Sequence, residues 1–196
     1  MDPDLEVIEQ VLRGETDRYG ELVERYQLAA WKLAYSFVGN FEEAKDLSQN
    51  GFVKAFRGLR GFRGGARFST WLYRIIANEC KDFLRRRGRQ PDLVSLSPAD
   101  DPEGDDPLPF QLPDPAGDPR EHAHRRELAA RIIAAVRELP MKQQTAFLLH
   151  RLNQMPVEEV SQVMGCRVGT VKAHLFRATE HLRRTVESLV TEGVPQ

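Results

Sequence analysis

The stretch Arg167-Val168-Gly169-Thr170-Val171-Lys172-Ala173-His174-Leu175-Phe176-Arg177-Ala178 decides how the rest of the chain is read. Wound at about 3.6 residues per turn, it sets Val168, Val171, Leu175, Ala178 and, further on, Leu182 in one apolar stripe, the side that a small helical domain buries. Opposite lie Gly169, Ala173, Phe176 and Arg177, flanked by Thr170 and Lys172. Small residues let a backbone approach a partner closely, cations reach phosphate oxygens or guanine edges, and an apolar group can touch a thymine methyl. The pattern predicts a DNA-recognition helix.

Working backwards, Leu128, Ile132, Ile133, Val136 and Leu139 keep helical spacing up to Pro140, and a second helix covers about Met141 to Leu152. Pro156 opens a third, with Val157, Val160, Val163 and Met164 inward, and Gly165 ends it. Cys166 and Arg167 then turn the chain into the opening stretch. Two short helices joined by a glycine-containing turn, the second with a basic outer face, make a helix-turn-helix.

The first ninety residues also read as helices. Leu5, Ile8, Val11 and Leu12 give a short one that stops at Gly14; Tyr19, Leu22, Val23, Tyr26, Ala30, Leu33, Phe37 and Val38 give a longer one that ends at Gly39. Asn40 is the expected N-cap of a third, with Glu43 three residues on, running through Ala44, Leu47, Phe52, Ala55, Phe56 and Leu59. From Gly58 to Phe68 four glycines, three arginines and two phenylalanines share a loop. It is either a connector whose phenylalanines enter the core or a place where unstacked bases are held between aromatics and arginine. Ser69 or Thr70 is expected to cap the next helix, which buries Leu72, Ile75, Ile76 and Phe83 and presents Thr70, Arg74, Asn78, Lys81 and Arg85 in a polar stripe beside Trp71. A basic helix face continuous with an arginine- and aromatic-rich loop points to nucleic acid. Glu79 falls on the apolar side and is expected to pair with an arginine or lie at a domain edge.

The overall charge of −1 conceals a partition: residues 1–90 carry a net +3, residues 91–119 a net −8 with no basic side chain, and residues 120–196 a net +4. It is the local field that attracts phosphate. Residues 91–119 also hold eight of the twelve prolines, a composition that predicts a linker without stable secondary structure. Its acidity serves solubility or mimics nucleic acid in a basic channel. The expected fold is thus all-α, two small helical domains over 1–90 and 120–196 joined by a flexible acidic linker over 91–119.

No enzyme chemistry is legible. A phosphate-binding glycine loop, a nucleophile elbow and a metal-ligand cluster are all missing from the sequence, so no catalytic residue, metal or cofactor is expected. His122 and His124 lack cysteine partners at zinc-binding spacing and read as solvated, while Cys80 and Cys166 read as reduced packing thiols. With no signal peptide and no apolar run near about 20 residues, the expected compartment is the cytoplasm, with no membrane insertion.

Two runs resemble a known family. Leu139 to Arg184, with Leu-Pro, Phe-Leu-Leu, Val-Glu-Glu-Val and Val-Gly-Thr-Val-Lys, resembles region four of the sigma-70 superfamily. Tyr19 to Arg87, with Ala-Lys-Asp-Leu-Ser-Gln, Phe-Arg-Gly and Phe-Ser-Thr-Trp-Leu-Tyr-Arg-Ile, resembles region two. Both, in that order and without region three, are the pattern of extracytoplasmic function (ECF) sigma factors, and two motifs in order are more specific than either alone. The resemblance implies that Asp46, Leu47, Gln49, Asn50 and Phe52 grip the clamp helices of the polymerase beta-prime subunit. It implies that Phe62, Arg63, Arg67, Phe68, Ser69, Thr70, Trp71, Arg74, Asn78 and Lys81 melt the minus-ten promoter element and capture a flipped base. It implies that Arg167, Gly169, Thr170, Lys172, Ala173, His174, Phe176 and Arg177 read the minus-thirty-five element as duplex. Bacterial core RNA polymerase (beta-prime clamp helices and beta flap), promoter DNA and an anti-sigma factor are the implied partners, and the linker is implied to thread toward the polymerase active-site cleft.

This chain departs from the family where Asn50 replaces the usual Glu, where Gly51 replaces a larger residue, and in the triplet Lys172, Ala173 and His174, more often basic, small hydroxyl, Arg. A helix-turn-helix regulator of the response-regulator output type, without sigma activity, is the other reading of Thr-Val-Lys-Ala-His-Leu. It leaves the first ninety residues without a role.

Overall fold

A computed structural model of the chain describes residues 3–88 and 130–192, and every regular element in them is a helix. The proposed linker, Leu128, Arg89 and the two histidines near it lie outside the described residues. Helix α1 spans Pro3–Leu12, α2 Tyr19–Val38, α3 Phe41–Gly58 and α4 Phe68–Arg87. Helix α5 covers 130–138, α6 Met141–Phe147 with a wider π turn over Leu148–Leu152, α7 Val157–Met164 and α8 Val168–Glu192.

Local chemistry sets most of these boundaries. Gly39 leaves α2 in the left-handed region at φ 73°, where glycine has no Cβ to clash. Asn40 then accepts the Glu43 N–H at 3.0 Å and opens α3, as its cap position predicts. The Glu43 carboxylate, instead of folding back on Asn40, receives the Arg87 guanidinium, with both oxygens 3.1 Å from Nη1. The start of α3 is thereby tied to the end of α4. Gly165 closes α7 at φ 62°.

The start of α4 differs from expectation. Phe68 is its first residue and Arg67 stands at the cap with no side-chain hydrogen bond. Neither Ser69 nor Thr70 caps it, and the Thr70 hydroxyl is committed elsewhere, to Glu159.

In the first module α2, α3 and α4 pack around Leu22, Leu33, Phe37, Leu59, Phe68, Leu72 and Ile76, all at most 2% exposed. Burial on this scale stabilises by about 1.5–3 kcal/mol for each large side chain. Tyr19 donates to the Phe52 carbonyl at 2.8 Å, and burial pushes its phenol up. Helix α1 is fastened by Asp4, nearly buried, which accepts from Arg25 and Tyr26 of α2. Glu79 pairs with Lys54 of α3, a lysine in place of the expected arginine. Helices α5 to α8 share a second set of apolar residues, including Val136, Leu148, Leu149, Val160 and Val171, and α7 lies against α4.

Candidate nucleic-acid interface

Helix α8 delivers the opening stretch as its spacing predicts. Val171, Ala178 and Leu182 are buried and Val168 and Leu175 half-buried, whereas Gly169, Thr170, Lys172, Ala173, Phe176 and Arg177 are exposed. Arg167, in the turn before it, is exposed as well. Phe176 is 70% exposed, a large apolar side chain that the fold itself does not use. His174 sits at the edge of this face with Nδ1 buried and unpartnered. Burial first, then Arg177 and Lys142, hold its imidazole below the usual histidine range, so it is neutral at neutral pH.

The second surface is the loop before α4 and the outer face of that helix. Arg63, Arg67, Arg74 and Asn78 are exposed, Ser69 and Lys81 half-buried. Burial, with Arg85 beside it, lowers the Lys81 ammonium. The loop aromatics form one cluster: Phe62 lies 5.3 Å from Trp71 and 6.0 Å from Phe68, ring centre to ring centre, and Phe68 lies 5.9 Å from Trp71. Phe68 is fully buried and Tyr26 backs it at 5.8 Å. The reading in which the loop phenylalanines enter the core therefore holds for Phe68, while Phe62 and Trp71 remain half-open above it. A cavity of about 260 Å³ opens there, with Phe62, Arg63, Trp71 and Arg74 on one side and Gln162 and Val163 of α7 on the other. Thr70, expected in the open polar stripe, is only 3% exposed because α7 covers it.

A third surface runs along α3. Asp46, Gln49 and Asn50 point outward, while Leu47 and Phe52 are buried and hold the helix in place. Further along the helix the fold leaves Val53 and Phe56 46% and 40% exposed. Helical spacing from Gln49 and Asn50 could have found Val53, since it falls one turn along the same face.

Residues 22–90 match the family model of sigma-70 region 2, and residues 129–182 match that of sigma-70 region 4. The RNA polymerase sigma-H factor of Pseudomonas aeruginosa is 35% identical over 192 residues, covering 97% of each chain. The chain belongs to the sigma-70 superfamily. Within it, ECF sigma-E factors of Haemophilus influenzae and Escherichia coli K12 are 32% and 31% identical, covering 95% and 94% of this chain, which places it in the ECF group. The fold is that of CnrH in complex with the cytosolic domain of CnrY, at a TM-score of 0.68 and 23% identity, covering 93% of this chain and 96% of that one. It is also that of RpoE in complex with the anti-sigma factor NepR from Bartonella quintana, at 0.60 and 22%, covering 85% and 97%.

The region 2 match thus spans α2 from Leu22, α3, the loop and α4, and the region 4 match spans α5, α6, α7 and α8 as far as Leu182. Among the described residues no helix is long and apolar enough to cross a membrane, and no group of metal-ligating side chains converges. Cys80 lies in the core, its thiol pushed up to about 12 chiefly by burial.

Proposed function

We propose that this ECF-group chain acts as a promoter-specificity subunit: it binds bacterial core RNA polymerase and directs initiation, reading the minus-ten element as melted single strand and the minus-thirty-five element as duplex. What carries the reading is the presence, in order on one chain, of an aromatic and arginine loop with a basic helix and of a recognition helix whose exposed face bears Phe176 and Arg177. Relatives named as sigma factors match 97% and 95% of the chain.

In this reading Asp46, Gln49 and Asn50, with Val53 beside them, meet the beta-prime clamp helices, while Leu47 and Phe52 set their positions. Phe62 and Trp71 stack an unpaired base, and Arg63, Arg67, Arg74, Asn78 and Lys81 take phosphates and base edges, Ser69 and Thr70 assisting. Unstacking a base costs a few kcal/mol, which stacking at about 1–3 kcal/mol per base offsets. Arg167, Gly169, Thr170, Lys172, Ala173, His174, Phe176 and Arg177 form the duplex-reading face, with region 4 resting on the beta flap. The protein performs no catalysis of its own and works in the cytoplasm. An anti-sigma factor is a further partner, in keeping with the one found on RpoE, which shares this fold. A response-regulator output domain is disfavoured, because it accounts for α7 and α8 and leaves α1 to α4 idle.

The test is reconstitution. Added to sigma-free bacterial core polymerase, the protein should produce transcripts with defined starts on a subset of promoters. Failure to associate with core, or starts at no defined position, removes the reading.

A further inference from the structure

Helix α7 opens with two glutamates that behave differently. Glu158 is exposed, whereas Glu159 turns onto region 2. There the Thr70 hydroxyl donates to Glu159 Oε2 at 2.5 Å, and Arg67 Nε stands 3.7 Å from Oε1. The contact joins residues 89 apart in sequence, and Gln162 and Val163, on the same helix, wall the cavity over Phe62, Trp71 and Arg74. A second contact holds the seam elsewhere: the Arg137 guanidinium of α5 packs over Gly39, at the end of α2. A carboxylate that accepts a hydrogen bond from a hydroxyl and faces an arginine offers what a DNA phosphate offers, a negative charge with two acceptor oxygens.

We propose that Glu159 is an intramolecular latch that stands in for a DNA phosphate and keeps the single-strand surface of region 2 closed until α7 lifts away. The inference rests on assigning the loop and α4 to the minus-ten element. Its strength follows from its exposure. The Arg67 side chain is 71% exposed and Glu159 20%, so the ion pair is screened and the hydroxyl bond supplies most of the hold. A latch of that kind is displaced readily by a strand that brings several phosphates at once. While it is closed, the apparent affinity for single-stranded DNA falls by the fraction of molecules that are open.

The test uses the full chain at fixed ionic strength, with Glu159→Ala, which removes the acceptor for the Thr70 hydroxyl, and Glu159→Lys each compared with the same change at Glu158, which controls for net charge. Amide hydrogen exchange in 59–74 and 157–164 reports the seam, and a short fluorescent single-stranded DNA of mixed sequence reports the surface. Both Glu159 variants should exchange faster in the two segments, and Glu159→Ala should bind the DNA about fivefold more tightly than Glu158→Ala, the scale of one part-exposed hydrogen bond to a charged group. Exchange equal to the Glu158 controls overturns the latch. An opened seam with unchanged DNA affinity overturns its covering role, and if no form of the chain binds DNA, the minus-ten assignment falls instead. Should the variants not fold, the wild type still decides the matter. Adding the DNA should protect 59–74 and deprotect 157–164, and protection of both overturns the proposal.

Discussion

Ile76 of α4 fills the place where a Cβ on Gly51 of α3 would stand, its Cγ1 only 2.6 Å from that position. The glycine that departs from the family pattern is therefore a close-packing site between α3 and α4, the two helices proposed to meet polymerase and DNA. Gly51→Ala gains up to about 1 kcal/mol of helix propensity but overpacks the interface at about 1–3 kcal/mol, so packing wins. The variant should be less stable by about 1 kcal/mol, the difference between those terms, read as a lower midpoint in urea unfolding with an unchanged slope. A raised midpoint would mean that Ile76 moves aside freely.

The loop aromatics divide by burial, and that division can be tested. Phe62 and Arg63 are accessible, so replacing both with Ala should spare core binding yet slow promoter opening, measured by permanganate reactivity of unpaired thymines. Phe68 is fully buried, and Phe68→Ala should instead unfold region 2 by about 3–5 kcal/mol. Equal effects of the two changes on stability would contradict the packing described above.

How far the sequence reached follows from the same residues. Helical periodicity located each described helix, and Asn40, Gly39 and Gly165 marked ends because their conformations are local properties of the chain. Thr70 was misplaced for the opposite reason. A helical wheel carries information about its own helix alone, and the hydroxyl is withdrawn from the polar stripe by Glu159, 89 residues away. Phe68 and Phe62 look alike in sequence, and what buries the first is packing from elsewhere in the fold, Tyr26 of α2 included. Phe56 keeps the apolar spacing of α3 yet stands 40% exposed, and Val53, outside that set, is 46% exposed, because a helical wheel does not show which apolar side chains the rest of the fold leaves uncovered.

On α8, Phe176 and Arg177 lie outside the core, so each can be truncated without cost to the fold. Arg177→Ala should weaken binding to a cognate minus-thirty-five duplex by about 1–3 kcal/mol and relax sequence preference if it reads a guanine. If it meets only phosphate, affinity should fall equally for all sequences and the salt dependence should flatten by about one ion. Phe176→Ala should weaken binding without changing the salt slope. Titrations at several salt concentrations separate the three outcomes.

His174 supplies a pH dependence whose sign is fixed by its surroundings. Burial, Arg177 and Lys142 depress its folded-state pKa, while the unfolded chain titrates near about 6.5. Above that value both states are neutral and the site costs nothing. As pH falls through the window between the unfolded and the lowered folded value, the unfolded state binds the proton first, so stability is lost. Duplex DNA reverses the pressure, because phosphates beside the ring favour its cation. Histidine NMR should therefore find His174 titrating below the ordinary imidazole range in the free protein and higher with DNA bound. His174→Asn should abolish both that shift and its share of the acid destabilisation. An unchanged titration on adding duplex would place His174 away from the phosphates and leave Lys172 and Arg177 as the cations that meet them.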